Sequence, residues 1–196
     1  MPTQQPNMAC PSCGAPIDAA RRFDEVYHCE YCGNTAYFTA VSVALELALG
    51  LAIALLMSSS TGRARPALYA VVLVPWAVPT IVSARMWEWM YNADYGVLNY
   101  LLGSPFNWLG NPLLALHAAI LMDVWKATPF VALLLLAGLQ AIPRDLYHAA
   151  RVDGASRLRI FRELTLPLLA PVIAVALIFR TIDAFRVFDA IYVLTG

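Results

Sequence analysis

The chain has 196 residues, 60% of them hydrophobic and only 13% charged, with thirteen basic and thirteen acidic side chains in balance. A charged fraction about half that of ordinary soluble domains excludes that class and indicates an integral membrane protein. No basic patch interleaved with aromatics marks a nucleic-acid surface, and no Ser/His/Asp or Cys/His set with recognisable spacing supports an enzyme.

The first 35 residues are polar and lack the apolar core of a cleavable signal peptide. They carry two Cys-X-X-Cys knuckles, Cys10 with Cys13 and Cys29 with Cys32, separated by fifteen residues. That is the spacing of a four-thiolate structural zinc site. Both halves resemble a zinc ribbon, with Gly33 permitting a tight turn after the second knuckle. A segment of this size buries too little surface to fold unaided, so Zn2+ would supply its stability. Four Cys ligands leave the metal no open position, which fits a binding or docking module better than catalysis.

Four apolar stretches follow, Phe38 to Met57, Ala67 to Trp87, Leu113 to Leu139, and Leu166 to about Leu194. Each reaches the roughly 20 residues that a helix needs to cross a hydrocarbon core, so four crossings are expected. Pro75 and Pro79 in the second, Pro129 in the third and Pro171 in the fourth free backbone carbonyls and allow kinks.

Charges inside these stretches cost about 2.5 to 3.5 kcal/mol each at a helix centre. Asp123 and Lys126 are three apart and can pair on one helical face, while Arg180, Asp183, Arg186 and Asp189 alternate in sign at the same spacing. Self-neutralised pairs that orient helices are the first reading, and a lining of a transport path is the alternative. Glu46 has no local partner in sequence and is expected to face protein.

Topology follows from the placement of Arg. The loop Ser58 to Pro66 carries Arg63 and Arg65, the loop Met90 to Pro112 carries no Lys or Arg, and the insert after the third stretch carries Arg144, Arg151, Arg157, Arg159 and Arg162. The positive-inside rule makes the first and third of these cytoplasmic and the second external. Trp87, Trp89, Tyr91, Tyr95, Tyr100 and Trp108 around the second read as an interfacial aromatic belt in preference to a sugar-stacking platform.

The polar insert from Arg144 to Glu163 is expected to form a short helix after Pro143, a turn at Gly154, and a second amphipathic helix from Ser156 to Leu166, with re-entry at Pro167. The second helix would place Leu158, Phe161 and Thr165 on one side and Arg157, Arg159 and Arg162 elsewhere. From composition alone, anchoring on anionic lipid and docking on a protein are both open.

His148-Ala149-Ala150, three residues, Gly154, nine residues, then Leu164-Thr165-Leu166-Pro167 resembles the signature loop of ABC importer permeases, Glu-Ala-Ala, three residues, Gly, nine residues, Ile, any residue, Leu-Pro. Asp153 lies just before its Gly. Further segments, among them Leu73 to Pro79, Asp123 to Lys126, Leu136 to Gln140 and Phe179 to Phe185, are similar to the subfamily of carbohydrate permeases related to those for maltose and glycerol-3-phosphate.

The resemblance implies an all-α polytopic membrane protein of about four transmembrane helices, preceded by the small zinc ribbon. The domains would be 1–35, the ribbon, and 36–196, a permease domain without the family's first and last helices. It implies a loop that docks on separate ABC ATPase subunits, a second permease subunit, an extracytoplasmic solute-binding protein, and a place in the bacterial or archaeal cytoplasmic membrane. No nucleotide would be bound by this chain, since it has no P-loop and its one Lys is Lys126. His148 stands where the family has Glu, replacing an acceptor carboxylate by an imidazole.

Cytoplasmic first and third loops would export the ribbon to an oxidising compartment, unusual for a reduced zinc site. One further helix at each end would return both termini to the cytoplasm. Two other readings therefore stand beside the permease: a membrane-anchored zinc-ribbon module, and a non-functional fusion or fragment of a permease.

Overall fold

A computed structural model describes residues 30–60, 64–103 and 106–185. Among them the secondary structure is helical: α1 (Glu30–Ser59), α2 (Ala64–Ala77), α3 (Thr80–Met90), α4 (Val97–Leu102), α5 (Pro112–Ala141), α6 (Arg144–Val152), α7 (Arg157–Ile160), a π-helical turn (Phe161–Thr165) and α8 (Leu166–Phe185).

Three helical stretches, 33–59, 113–141 and 157–185, are long and apolar enough to cross a membrane, and α2 with α3 makes a fourth if the bent pair counts as one span. α1 begins at Glu30 and runs through Cys32 and Gly33, where the sequence places the end of a zinc knuckle and its turn. A single Gly costs a helix only about 1 kcal/mol, and the long apolar run beyond it carries the helix back past the expected boundary at residue 35. Cys10, Cys13 and Cys29 lie outside the described residues. At its other end α1 is finished by its serines, Ser58 donating to the Leu55 carbonyl at 2.8 Å and Ser60 to that of Leu56 at 2.7 Å. These hydroxyls are second donors to carbonyls of the last turn, the Leu56 oxygen also accepting from the Ser60 N–H at 3.1 Å.

The second apolar stretch is not one continuous helix. It breaks between Ala77 and Thr80 with a bend of 92°. Pro79 has no N–H to continue the ladder, and its ring pushes Val78 out of the helical region.

α5 is the hub, with 67% of its apolar window buried against 33% for α1 and 22% for the last span. Two apolar clusters lie along it. One joins Phe38 and Val43 of α1 to Ala118, Ala119 and Met122 of α5 with Ala84, Trp87 and Tyr91. The other joins Ala54 and Met57 to Val131, Leu135 and Leu136 with Leu169 of α8. α1 and α5 therefore run parallel, and α8, which meets the second cluster at Leu169 and the first at Ala184, runs antiparallel to both. α2 begins beside the second cluster through Leu68 and Val72, and α3 ends in the first. The bent pair thus carries the chain from one end of the bundle to the other. Gly50 lets α1 approach α5 closely, for a Cβ there would lie 2.7 Å from the Val131 side chain.

The aromatic residues around the second loop divide. Trp89, Tyr95 and Tyr100 are exposed, as a belt requires, but Trp87 and Tyr91 are core residues, and Trp108 packs on them from the loop. Tyr91 donates to the Ala118 carbonyl at 3.0 Å. Asn99 pins the loop, accepting from the Trp108 indole N–H at 2.7 Å and donating to the Phe106 carbonyl at 2.9 Å.

Candidate functional site

Between the two apolar clusters the bundle is polar. Glu46 of α1 is fully buried, and Arg180 of α8 meets it with two donors, Nε to Oε2 at 2.5 Å and Nη2 to Oε1 at 2.7 Å. Arg180 Nη2 also reaches Asp123 of α5 at 3.1 Å, and Nη1 donates to Asp183 one turn along α8. One planar guanidinium, with five donors in fixed directions, is the group that can serve three carboxylates from three helices. It ties α1, α5 and α8 together at one level, where removing a single partner would strand a buried charge.

Sequence spacing paired these residues differently. Asp123 and Lys126 do share a helix face, but Asp123 turns to Arg180 while Lys126 donates to the backbone carbonyl of Val78 at 2.6 Å. Within the expected ladder on the last helix the Arg180–Asp183 rung is present. Arg186 and Asp189 lie outside the described residues. The Glu46–Arg180 pair was not named from sequence. Its signal was two intramembrane charges of opposite sign, one of them without a local partner.

Beside this cluster, at the break between α2 and α3, is a cavity of about 700 Å3. Trp76 and Phe130 stack on one side of it with ring centroids 6.4 Å apart, and Asp123, Lys126, Arg180 and Asp183 supply its polar wall. The carboxylate of Asp183 is exposed while Arg180 is buried, so the cavity offers an ammonium, a carboxylate and aromatic faces in one space.

The polar insert is the second candidate surface. α6 starts after Pro143 and buries no residue. It ends in a Schellman motif: Gly154 has φ of +74°, its N–H meets the Arg151 carbonyl at 3.1 Å, and the Ala155 N–H meets that of Ala150 at 3.0 Å. Ser156 caps the next helix by accepting from the Arg159 N–H at 3.3 Å. His148, Ala149, Asp153 and Gly154 are all exposed, and so are the apolar Val152 and Leu158, at 87% and 67%.

Two details differ from expectation. The buried side of the second helix is Ile160 with Thr165, not a stripe led by Leu158. Nor does the helix stop at Pro167. It widens into the π turn, with the Leu166 N–H reaching the Phe161 carbonyl, and continues into α8. Pro167 cannot donate back along the helix, and a wider turn just before it lets the helix pass that point without ending. Leu164 is half-buried there and Leu166 exposed. Tyr147 of α6 and Thr165 share a hydrogen bond of 3.3 Å, so the loop is tied to the foot of α8.

Among the described residues, an all-helical bundle with a broken span, a charged cavity and an exposed helix–turn–helix insert has the architecture of a polytopic membrane protein. Residues 47–196 match the family described as binding-protein-dependent transport system inner membrane component, and the chain belongs to it. It is 60% identical over 166 residues to the trehalose/maltose transport system permease protein MalF of Thermococcus litoralis, an alignment covering 83% of this chain and 56% of that relative. The chain thus spans little more than half the length of that relative.

Among solved structures it resembles a chain of a bacterial ABC transporter involved in the import of the acidic polysaccharide alginate. The TM-score is 0.76 at 25% identity, over 84% of this chain and 59% of that one. A bacterial alginate ABC transporter in complex with a pentasaccharide-bound periplasmic protein gives 0.69 at 26% identity, covering 76% and 53%.

Proposed function

We propose that the chain forms the core of a permease subunit that carries a sugar or related carbohydrate inward across the cytoplasmic membrane. Separate ABC ATPase subunits would bind the α6–α7 insert and drive the helices, and a second permease and an external solute-binding protein would complete the importer. The chain itself performs no chemistry.

The insert is the observation that carries this reading. A helix with no buried residue, closed by a left-handed glycine and followed by a second short helix, exposes Val152 and Leu158 where nothing among the described residues covers them. Exposed apolar side chains on an otherwise charged, rigid element form a docking surface. The bond between Tyr147 and Thr165 gives a docked partner a grip on α8. His148 would meet the partner where the family has Glu, with an imidazole able to donate as well as accept.

The carbohydrate assignment draws on the two kinds of relative and on the chemistry of the cavity. Sugars offer hydroxyl groups and apolar ring faces, and Lys126, Asp183, Trp76 and Phe130 present partners for both. The cysteines Cys10, Cys13, Cys29 and Cys32 are proposed to hold one Zn2+ in an N-terminal docking module that includes the first turn of α1, with no nucleotide bound anywhere on this chain.

The test is co-purification. The chain is expected to bring down an ABC ATPase from its native membrane, and Gly154→Trp to lose that partner while remaining inserted. A complex indifferent to Gly154→Trp would overturn the assignment of the insert.

A further inference from the structure

The break in the second span leaves a backbone group in need of a partner. In an unbroken helix the Val78 carbonyl would accept from the N–H four residues on, but the chain turns by 92° between Ala77 and Thr80. α3 starts its own ladder one residue later, with Ser83 N–H meeting the Pro79 carbonyl at 3.0 Å. Val78 is half-buried on the wall of the cavity, and its carbonyl, left out of both helical ladders, needs a donor there. Lys126 of α5 is aimed at it, with Nζ 2.6 Å from the oxygen.

We propose that Lys126 is the positioning residue of the broken span: by donating to the Val78 carbonyl it holds the bend between α2 and α3, and with it the wall of the 700 Å3 cavity. Three features carry this assignment. The acceptor is backbone, so it exists only because Pro79 breaks the helix there. The carbonyl lies just past the C-terminus of α2, where a cation is favoured by the helix dipole. The neighbouring carboxylate three residues back, Asp123, is engaged by Arg180.

A salt-bridge role for Lys126 is distinct in its consequences. Were its task to neutralise Asp123, it would matter equally whether or not the second span is broken. As the donor to Val78 it matters only when the carbonyl is free.

The inference does not depend on what crosses the membrane, and its test needs no substrate. The full chain is purified in detergent as wild type, Lys126→Met, Lys126→Gln, Pro79→Ala and the Pro79→Ala/Lys126→Met double variant, and apparent thermal midpoints are compared. Lys126→Met is expected to lower the midpoint by roughly 4 °C, and Lys126→Gln, which keeps a neutral donor, to restore most of it. In the Pro79→Ala background, where the backbone N–H of Val82 can take the carbonyl, Lys126→Met should cost less than about a third as much, a coupling that marks direct interaction. Equal costs in the two backgrounds, or a Gln variant as impaired as Met, would overturn the proposal.

Should Pro79→Ala fail to fold, the wild-type chain decides. Lys126 is its one lysine, and reductive methylation followed on its peptide by mass spectrometry should run at least about tenfold slower than on a solvated lysine, the factor that a hydrogen bond from a charged donor supplies. A rate equal to that of solvated lysine would sink the proposal.

Discussion

The α6–α7 insert and the charge cluster around Arg180 are opposites in construction. The insert is built from neighbours in sequence: Gly154, Arg151, Ala150, Ser156 and Arg159 make their bonds within a few residues of one another, and the element stands exposed. The cluster is built from strangers, Glu46 and Arg180 being 134 positions apart and Asp123 and Arg180 57 positions apart, and its centre is buried. A local motif keeps its shape wherever the helices around it sit. A non-local cluster exists only when the bundle has assembled, so it reports and enforces helix placement.

The contrast is sharpest for Arg180→Met. Stranding Glu46 and Asp123 without their shared cation is expected to cost about 3 to 5 kcal/mol, seen as loss of monodisperse, membrane-extracted chain. A triple variant, Glu46→Gln with Asp123→Asn and Arg180→Met, should recover most of it, because no charge is left buried alone. If the triple variant is as poorly folded as the single one, the cluster does more than satisfy charge.

A smaller effect is expected at the insert. Gly154→Ala places a Cβ in the left-handed region at about 1 to 2 kcal/mol, all of it local, so the chain should insert normally yet bind the proposed ATPase partner more weakly in a pull-down. Gly154→Asn, which tolerates that conformation, should bind nearly as the wild type does. Equal loss for Ala and Asn would show that the surface needs the bare backbone and not only the turn.

The smallest is Arg159→Gln. The pair of Arg159 with Glu163 at 2.9 Å is exposed on both sides, where water screens it, and no measurable change in the thermal midpoint is expected. A clear fall would mean that the insert is held by charge as well as by its backbone bonds, and the two regions would then differ less than their geometry suggests.

Much of this was open to reading from the residues. Apolar stretches of sufficient length mark helices whatever they pack against, because a backbone in lipid has to satisfy itself. The insert's turn was legible because Gly154 and the polar run around it act locally. The split of the aromatic residues was not, since Trp87 and Trp89 look alike in sequence and only the face that meets α5 separates core from surface. Pro79 marked a possible kink, but neither the size of the bend nor the donor that holds it follows from a proline alone.

What the sequence by itself determined is therefore the long apolar stretches, the turn at Gly154 and the presence of charges that must be neutralised, all of which depend on interactions within a few residues or on the solvent. Which charge answers which was decided only by tertiary structure. Asp123 and Lys126 are one helical turn apart and free to pair, yet Arg180 reaches the first and the Val78 carbonyl draws the second. In a bundle of low dielectric each buried charge is satisfied by the donor or acceptor that packing brings nearest, and α1 parallel to α5 with α8 antiparallel brings Glu46, Asp123 and Arg180 to one level.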